Sequence, residues 1–403
     1  MNLKCQSISQ GTVTSPRGFL AGATYAGIKT KGLLDLGILY SEVSCIAAGV
    51  FTTNKIKAAP VVLSQEKIAR RKAQAVVVNS GCANACTGER GLADAMEMAD
   101  LTAKKLGISP QEVLVASTGV IGVLLPMERI PKSLEGIILS SQGGHQMVEA
   151  MMTTDTFPKE IAVSIMIGGS KVIIGGVAKG AGMIYPNLAT LLCFITTDVA
   201  IDPSLAQIAL QKAVDNSFNM ISVDTDTSPN DTVLLLANGL AGNQKLQAGT
   251  AETEIFQDAL QEVCLYLAKC VARDGEGATK LIEVKVEGAL TLEDARLAAR
   301  TIASSTLVKA AMHGSDPNWG RIVAALGRSG AEIAPSKIDL YLKDLCLLKA
   351  GSLMPFDQGK AKDVLSNTEV AIRVCLNLGK ESATAWGCDL SEEYVRINSE
   401  YIT

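Results

Sequence analysis

Histidine is almost missing from this chain of 403 residues: His145 and His313 are the only two, and they stand far apart. A zinc site needs about four ligands, so these two cannot frame one unaided. Ten cysteines are scattered from Cys5 to Cys388 without the dense, regular framework of a small secreted domain, so reduced thiols are expected. Cys82 and Cys86 have a spacing that could place them on one helical face, but as small buried apolar residues rather than ligands. No metal is expected.

Charge of one sign is also lacking. The formal net charge is -4, from 37 basic and 41 acidic side chains, with no Lys/Arg run that could neutralise a phosphate backbone, which argues against a nucleic-acid partner. No apolar run approaches the ~18 residues needed to cross a bilayer. Met1 to Gln10 lacks the charged start and apolar core of a signal peptide, so no membrane association and a cytoplasmic location are expected. Internal repeats, heptads and low-complexity tracts are missing too, which removes solenoid and fibrous architectures.

What is present is 48% hydrophobic residues, 19% charged residues and 36 glycines, the composition of a globular chain rich in small residues and tight turns. Its length suggests two or more lobes of roughly 100–200 residues. Ala75 to Val78 reads as a strand running into a polar loop, Asn79 to Gly88. Leu92 to Leu106 carries apolar residues at three- and four-residue intervals, as do Leu205 to Val214 and Ile255 to Val271, and each predicts an amphipathic helix. Two Val/Ile-rich runs between Ile161 and Val177 flank Gly168-Gly169-Ser170, a hairpin signature. Leu191 to Ile195 is a buried strand or a buried helix start. Ile282 to Glu287 and Val370 to Leu376 alternate as half-buried strands, with a change of lobe near Lys280. The class is α/β.

The most unusual stretch runs from Gly176 to Leu192. Lys179 lies among close glycines, then comes Pro186, then Thr190 entering an apolar run. Glycine allows close backbone approach and proline fixes φ. The order and spacing of a phosphate loop are missing, as is a dinucleotide fingerprint. Asp224 to Asp231 begins like a calcium loop, but Pro229 replaces the turn glycine and Leu235 the bidentate glutamate. Its Asp and Asn side chains are expected to order turns beside the active site by local hydrogen bonds. Asp316-Pro317-Asn318-Trp319-Gly320 reads equally as a rigid turn with a packed indole or as a pocket wall.

The stretch through Lys179-Gly180-Ala181-Gly182-Met183-Ile184, Pro186-Asn187 and Ala189-Thr190 resembles the self-cleavage site of the ornithine acetyltransferase (glutamate N-acetyltransferase) family, the arginine biosynthesis bifunctional proteins. It departs from the usual pattern at Ala181, commonly serine, and at Leu188, commonly methionine. Further motifs resemble the family in the expected order: Ser117 to Gly122, Met151 to Thr156, Ser222 to Thr227, Arg273 to Lys280, Asp316 to Arg321 and Tyr394 to Tyr401. The resemblance covers essentially the whole chain.

The resemblance implies cleavage between Ala189 and Thr190, after which Thr190 is the nucleophile carrying the acetyl group from N-acetylornithine to glutamate. A threonine hydroxyl needs a base, and the freed α-amine, with a reference pKa of ~7.7–8.0, can replace the missing histidine. By resemblance Thr118 and Gly119 stabilise the oxyanion, and Thr153, Lys179, Thr190, Glu276, Asn398 and Thr403 contact substrate. Glu276 suits the ornithine ammonium, and a functional Thr403 implies an ordered tail.

The implied fold is a layered αββα-type sandwich resembling N-terminal nucleophile hydrolases, with a smaller C-terminal α/β lobe. The implied pieces are an alpha chain, 1–189, and a beta chain, 190–403, with 190–280 completing the catalytic lobe and 281–403 forming the C-terminal lobe. Two of each would assemble into a heterotetramer. No cofactor is required, although acetyl-CoA could be a second donor. A self-processing aminopeptidase or amidase and a non-catalytic amino-acid-binding protein are the competing readings.

Overall fold

In a computed structural model, residues 5–29, 32–185 and 191–400 are described. The expected Ala189–Thr190 bond and Thr403 lie outside them. Nine strands form one sheet: β1 (Gln6–Ser7), β2 (Phe19–Thr24), β3 (Leu36–Phe51), β4 (Lys72–Cys82), β5 (Val113–Val120), β6 (Lys159–Ile167), β7 (Ser170–Lys179), β8 (Leu192–Thr197) and β10 (Thr232–Ala237). A second sheet of seven takes β9 (Ile221–Ser222), β11 (Leu281–Ala289), β12 (Asp339–Leu342), β13 (Leu345–Lys349), β14 (Ser352–Leu353), β15 (Glu369–Cys375) and β16 (Glu381–Cys388).

The long β3 divides the first sheet into two leaves. Its first half pairs with β2 on one side and β4 on the other, and its second half pairs with β10. Register slips between Tyr40 and Cys45, a bulge that bends the strand where it passes between leaves. Side chains alternate across each strand, so each leaf has two apolar faces. Val76 and Val78 of β4 share an apolar cluster with Leu234 and Leu236 of β10, the inner core between the leaves. Their neighbours face outward: Ala75 and Val77 under helices α1 (Ala59–Ile68), α2 (Gly88–Leu106) and α3 (Ile130–Gly136), and Val233 and Leu235 under α5 (Pro203–Asp215) and α6 (Ala251–Arg273). Helix α4 (Gly144–Met151) adds Met147, Val148 and Met151 to the inner core. Helix, leaf, leaf, helix is the layered sandwich expected. The second sheet carries α7 (Leu292–Ala303) and joins the α5/α6 side through one continuous apolar core.

The periodic segments form the elements their spacing predicts, and Leu191 to Ile195 enters a strand, β8. Gly168 and Gly169 take φ of 53° and 83° in the β6–β7 turn, the positive values a two-residue hairpin loop requires. Two expectations are corrected. The strand at Ala75 runs on to Cys82 instead of yielding to a loop at Asn79, because the polar residues there are buried and paired: Asn79 donates to the Cys82 carbonyl, and Ser80 to that of Ala150. Cys82 and Cys86 share no helical face, since Cys82 ends β4 and Cys86 takes φ of 56° before α2 begins. Among the described residues no group of His, Cys, Asp or Glu could hold a metal, and no helix is long and apolar enough to cross a membrane.

Phe256 is fully buried on α6, in the core shared by both sheets. Phe256→Ala is expected to lower stability by about 3–5 kcal/mol, read from the urea midpoint. A loss below about 1 kcal/mol would contradict this packing.

Candidate active site

Strands β4 and β5 run parallel, with Ser80 opposite Thr118 and Gly81 opposite Gly119. Gly119 takes φ of 129°, and a Cβ added there would stand 2.3 Å from the Gly81 carbonyl carbon. Only glycine fits such a backbone. The Ser117–Gly119 segment is thus a strand end pinned by its neighbour, not an ordinary turn. Asn230 pins it from the other side, donating through Nδ2 to the carbonyls of Ser117 (2.9 Å) and Ala83 (2.6 Å).

Beyond this strand end lies a cavity of about 290 Å³, lined by Thr118, Gly119, Thr153, Lys179, Glu276 and Asn398, together with Val120, Ile121, Thr154, Gly182, Met183, Ser228 and Asn230. Six residues expected at the site from separate stretches of sequence therefore converge. Lys179, at the end of β7, is not a solvated surface charge: it is 4% exposed. Its Nζ donates to Thr153 Oγ1 at 2.8 Å and Thr118 Oγ1 at 3.2 Å. Because Thr118 Oγ1 accepts from Lys179, its own proton remains to be donated elsewhere. Asn398, on the helix Glu392–Ser399, donates to Glu276 Oε2 at 2.8 Å and fixes that carboxylate at the cavity wall.

A buried charge cluster stands behind the wall. Lys159 Nζ bridges Asp155 Oδ1 (2.7 Å) and Asp274 Oδ2 (2.5 Å), and all three side chains are at most 3% exposed. Asp155 also accepts from the backbone N–H groups of Gly180 (2.7 Å) and Thr153 (3.0 Å). Asp274 holds the backbone N–H and hydroxyl of Thr156. Burial pushes the Asp155 carboxyl up, but Lys179, Lys159 and these hydrogen bonds outweigh it and hold it at about 2. Burial pushes the Lys179 ammonium below its ordinary range, against the pull of Asp155.

The 224–231 loop does more than order itself. Asp224 accepts the N–H groups of Met183 (2.6 Å) and Ile184 (2.8 Å), while Asp231 accepts that of Leu191 at 3.1 Å. The loop thus grips the chain on both flanks of 186–190. Burial holds the Asp231 carboxyl well above the usual carboxylate range, despite the Leu191 N–H and Lys179. Of the two readings of Asp316 to Gly320, the packed indole stands: Trp319 opens the helix Trp319–Gly327 and packs against the large core, away from this cavity.

Several site residues are not marked as such by the sequence. Asp155, Asp274 and Asn230 sat inside motifs already singled out, and their signal was the excess of small polar residues there. The bridge from Lys159 to Asp274 has no local signal, because these two residues lie 115 positions apart.

The ArgJ family model matches residues 20–403. The Dehalococcoides mccartyi protein named arginine biosynthesis bifunctional protein ArgJ is 54% identical over 398 residues, covering 98% of each chain. Its namesake in Symbiobacterium thermophilum is 55% identical over 397 residues, covering 98% of this chain and 99% of that one. The crystal structure of the Bacillus halodurans protein of the same name is 45% identical, with a TM-score of 0.51, and covers 52% of this chain and 98% of that chain.

Gly119→Ala is expected to cost roughly 1–3 kcal/mol of stability through backbone strain, and to distort the cavity. Urea unfolding should register the loss, and a wild-type midpoint would refute the strand-end geometry.

Proposed function

This chain belongs to the ArgJ family, and from that premise we propose that it is a self-processing glutamate N-acetyltransferase of arginine biosynthesis. It cuts itself between Ala189 and Thr190, and Thr190 then moves the acetyl group of N-acetylornithine to glutamate. The observation carrying this reading is the convergence of Thr118, Gly119, Thr153, Lys179, Glu276 and Asn398 on one cavity.

In the first half-reaction Thr190 Oγ attacks the acetyl carbonyl and its proton passes to the freed α-amine. The amide C–N bond breaks, that proton goes to the departing ornithine nitrogen, and the acetyl group stays as an ester on Thr190. In the second half-reaction the glutamate amine attacks the ester, the C–Oγ bond breaks, and the surplus amine proton returns to Oγ by way of the α-amine. Each tetrahedral intermediate bears an oxyanion. Support for Thr118 as its donor comes from Lys179, which occupies the Thr118 oxygen as acceptor and leaves its O–H to give. Gly119 supplies a backbone N–H. Lys179 also offers a cation for the α-carboxylate shared by both substrates, and Glu276 an anion for the ornithine ammonium. Acetyl-CoA would load the same Thr190, which makes it a second donor in this scheme.

After cleavage the two pieces, 1–189 and 190–403, stay joined, with two of each forming the heterotetramer. The pieces share the first sheet: β7 pairs antiparallel with β8 from Ile174↔Thr197 to Lys179↔Leu192, and β3 pairs with β10. Separating them would break both ladders. The C-terminal lobe is 281–403, and the location is cytoplasmic.

Intact mass spectrometry should find two fragments split after Ala189 in the wild type and one uncut chain in Thr190→Ala; a wild type that stays whole overturns the maturation step. With N-acetylornithine and glutamate, ornithine and N-acetylglutamate should form in equal amounts, whereas ornithine with free acetate would mean hydrolysis. Thr118→Ala is expected to slow transfer by about 10²–10³-fold.

A further inference from the structure

The charge cluster behind the cavity is not part of its lining, yet it is tied to three of the segments that line it, those of Thr153, Lys179 and Glu276. Asp155 Oδ2 holds the Thr153 N–H, and Oδ1 holds the N–H of Gly180, the residue after Lys179. Through Lys159 the same carboxylate reaches Asp274, two residues before Glu276. Lys179 itself is enclosed. The ionisable groups that act on it are Asp155, Glu276 and Asp231, which favour its charge, and Lys159 and Lys29, which oppose it.

We propose that Asp155 is a positioning residue of this site, which keeps Lys179 a charged donor aimed at Thr118 and Thr153. The inference rests on the reading of the cavity as the acetyl-transfer site. Its physical basis is that a buried ammonium loses its hydration and persists only where opposite charge and hydrogen-bond acceptors replace it. The hydroxyls of Thr118 and Thr153 are acceptors without charge, and Asp231 is itself pushed toward the neutral form by burial. Asp155, held ionised between two lysines, is the foremost anion acting on it, ahead of Glu276. Lys159 shares that carboxylate, and Asp274 completes its coordination, so Lys159 orients Asp155 without drawing it away from Gly180.

A merely structural role would lower activity alike at every pH. A role in holding the charge of Lys179 has a different signature. Transfer needs the Thr190 amine neutral, which sets the acidic limb of the rate profile, and Lys179 charged, which sets the alkaline limb. Removing the Asp155 charge destabilises the ammonium, so Lys179 loses its proton at lower pH. Removing the Lys159 charge acts in the opposite sense.

The test is the pH profile of kcat/KM for acetyl transfer by the cleaved wild type, Asp155→Asn and Lys159→Gln. The alkaline limb is expected to move down by about one pH unit or more in Asp155→Asn and up in Lys159→Gln. Unchanged limbs in both variants, with only the height of the profile reduced, would overturn the proposal. Should either variant fail to fold, ¹³Cε-lysine titration of the wild type decides, with the Lys179 signal assigned by its loss in Lys179→Met. Lys179 is expected to be charged at pH 7, and a neutral amine there refutes the proposal. That titration needs no turnover, so it also separates failure of this inference from failure of the acetyl-transfer reading.

Discussion

An ammonium group taken out of water must recover its lost hydration from the protein, and at Lys179 this requirement organises the site. Burial disfavours its charge, two threonine hydroxyls accept its hydrogen bonds, and the carboxylate of Asp155 stands behind it. Meeting that demand draws in the rest. Asp155 brings the 153–156 and 179–180 segments together, and Lys159 with Asp274 fastens them to the end of α6. Buried ion pairs add little net stability once desolvation is subtracted. What this one contributes is geometry, holding hydroxyls and carboxylates in place before a substrate arrives.

The sandwich serves the same end. A one-residue slip of a strand would exchange the side chains that fill the inner core for those packed under the helices, so the ends of β5, β7 and β8 are fixed relative to one another. Thr118 and Lys179 stand at two of these ends, and Leu191 leads into the third. The loop after β9 closes the arrangement, with Asp224 and Asp231 holding the backbone on either flank of residues 186–190. A chain cut there would keep its two sides in place.

Much of this was legible in the sequence, for identifiable reasons. Helices such as Leu92 to Leu106 carry a 3.6-residue period that packing on one leaf enforces, and Gly168-Gly169 advertised the turn that only positive φ can make. Polar residues misled. Asn79 and Ser80 looked like loop because their partners, the Cys82 and Ala150 carbonyls, are evident only in three dimensions. Lys179 was marked by its glycines, but local spacing could not separate a buried cation from a solvated one. The Lys159–Asp274 bridge left no local trace. Long-range charge pairing has no periodicity, so only folding reveals it.

The central claim is that Thr190 carries the acetyl group. Cleaved protein mixed with N-acetylornithine alone, quenched in acid and examined by intact mass, tests it most directly. The account predicts one added acetyl group on the 190–403 fragment, mapped to Thr190 and discharged when glutamate is supplied. An unmodified 190–403 fragment despite ornithine release, or an acetyl group on 1–189, would contradict it.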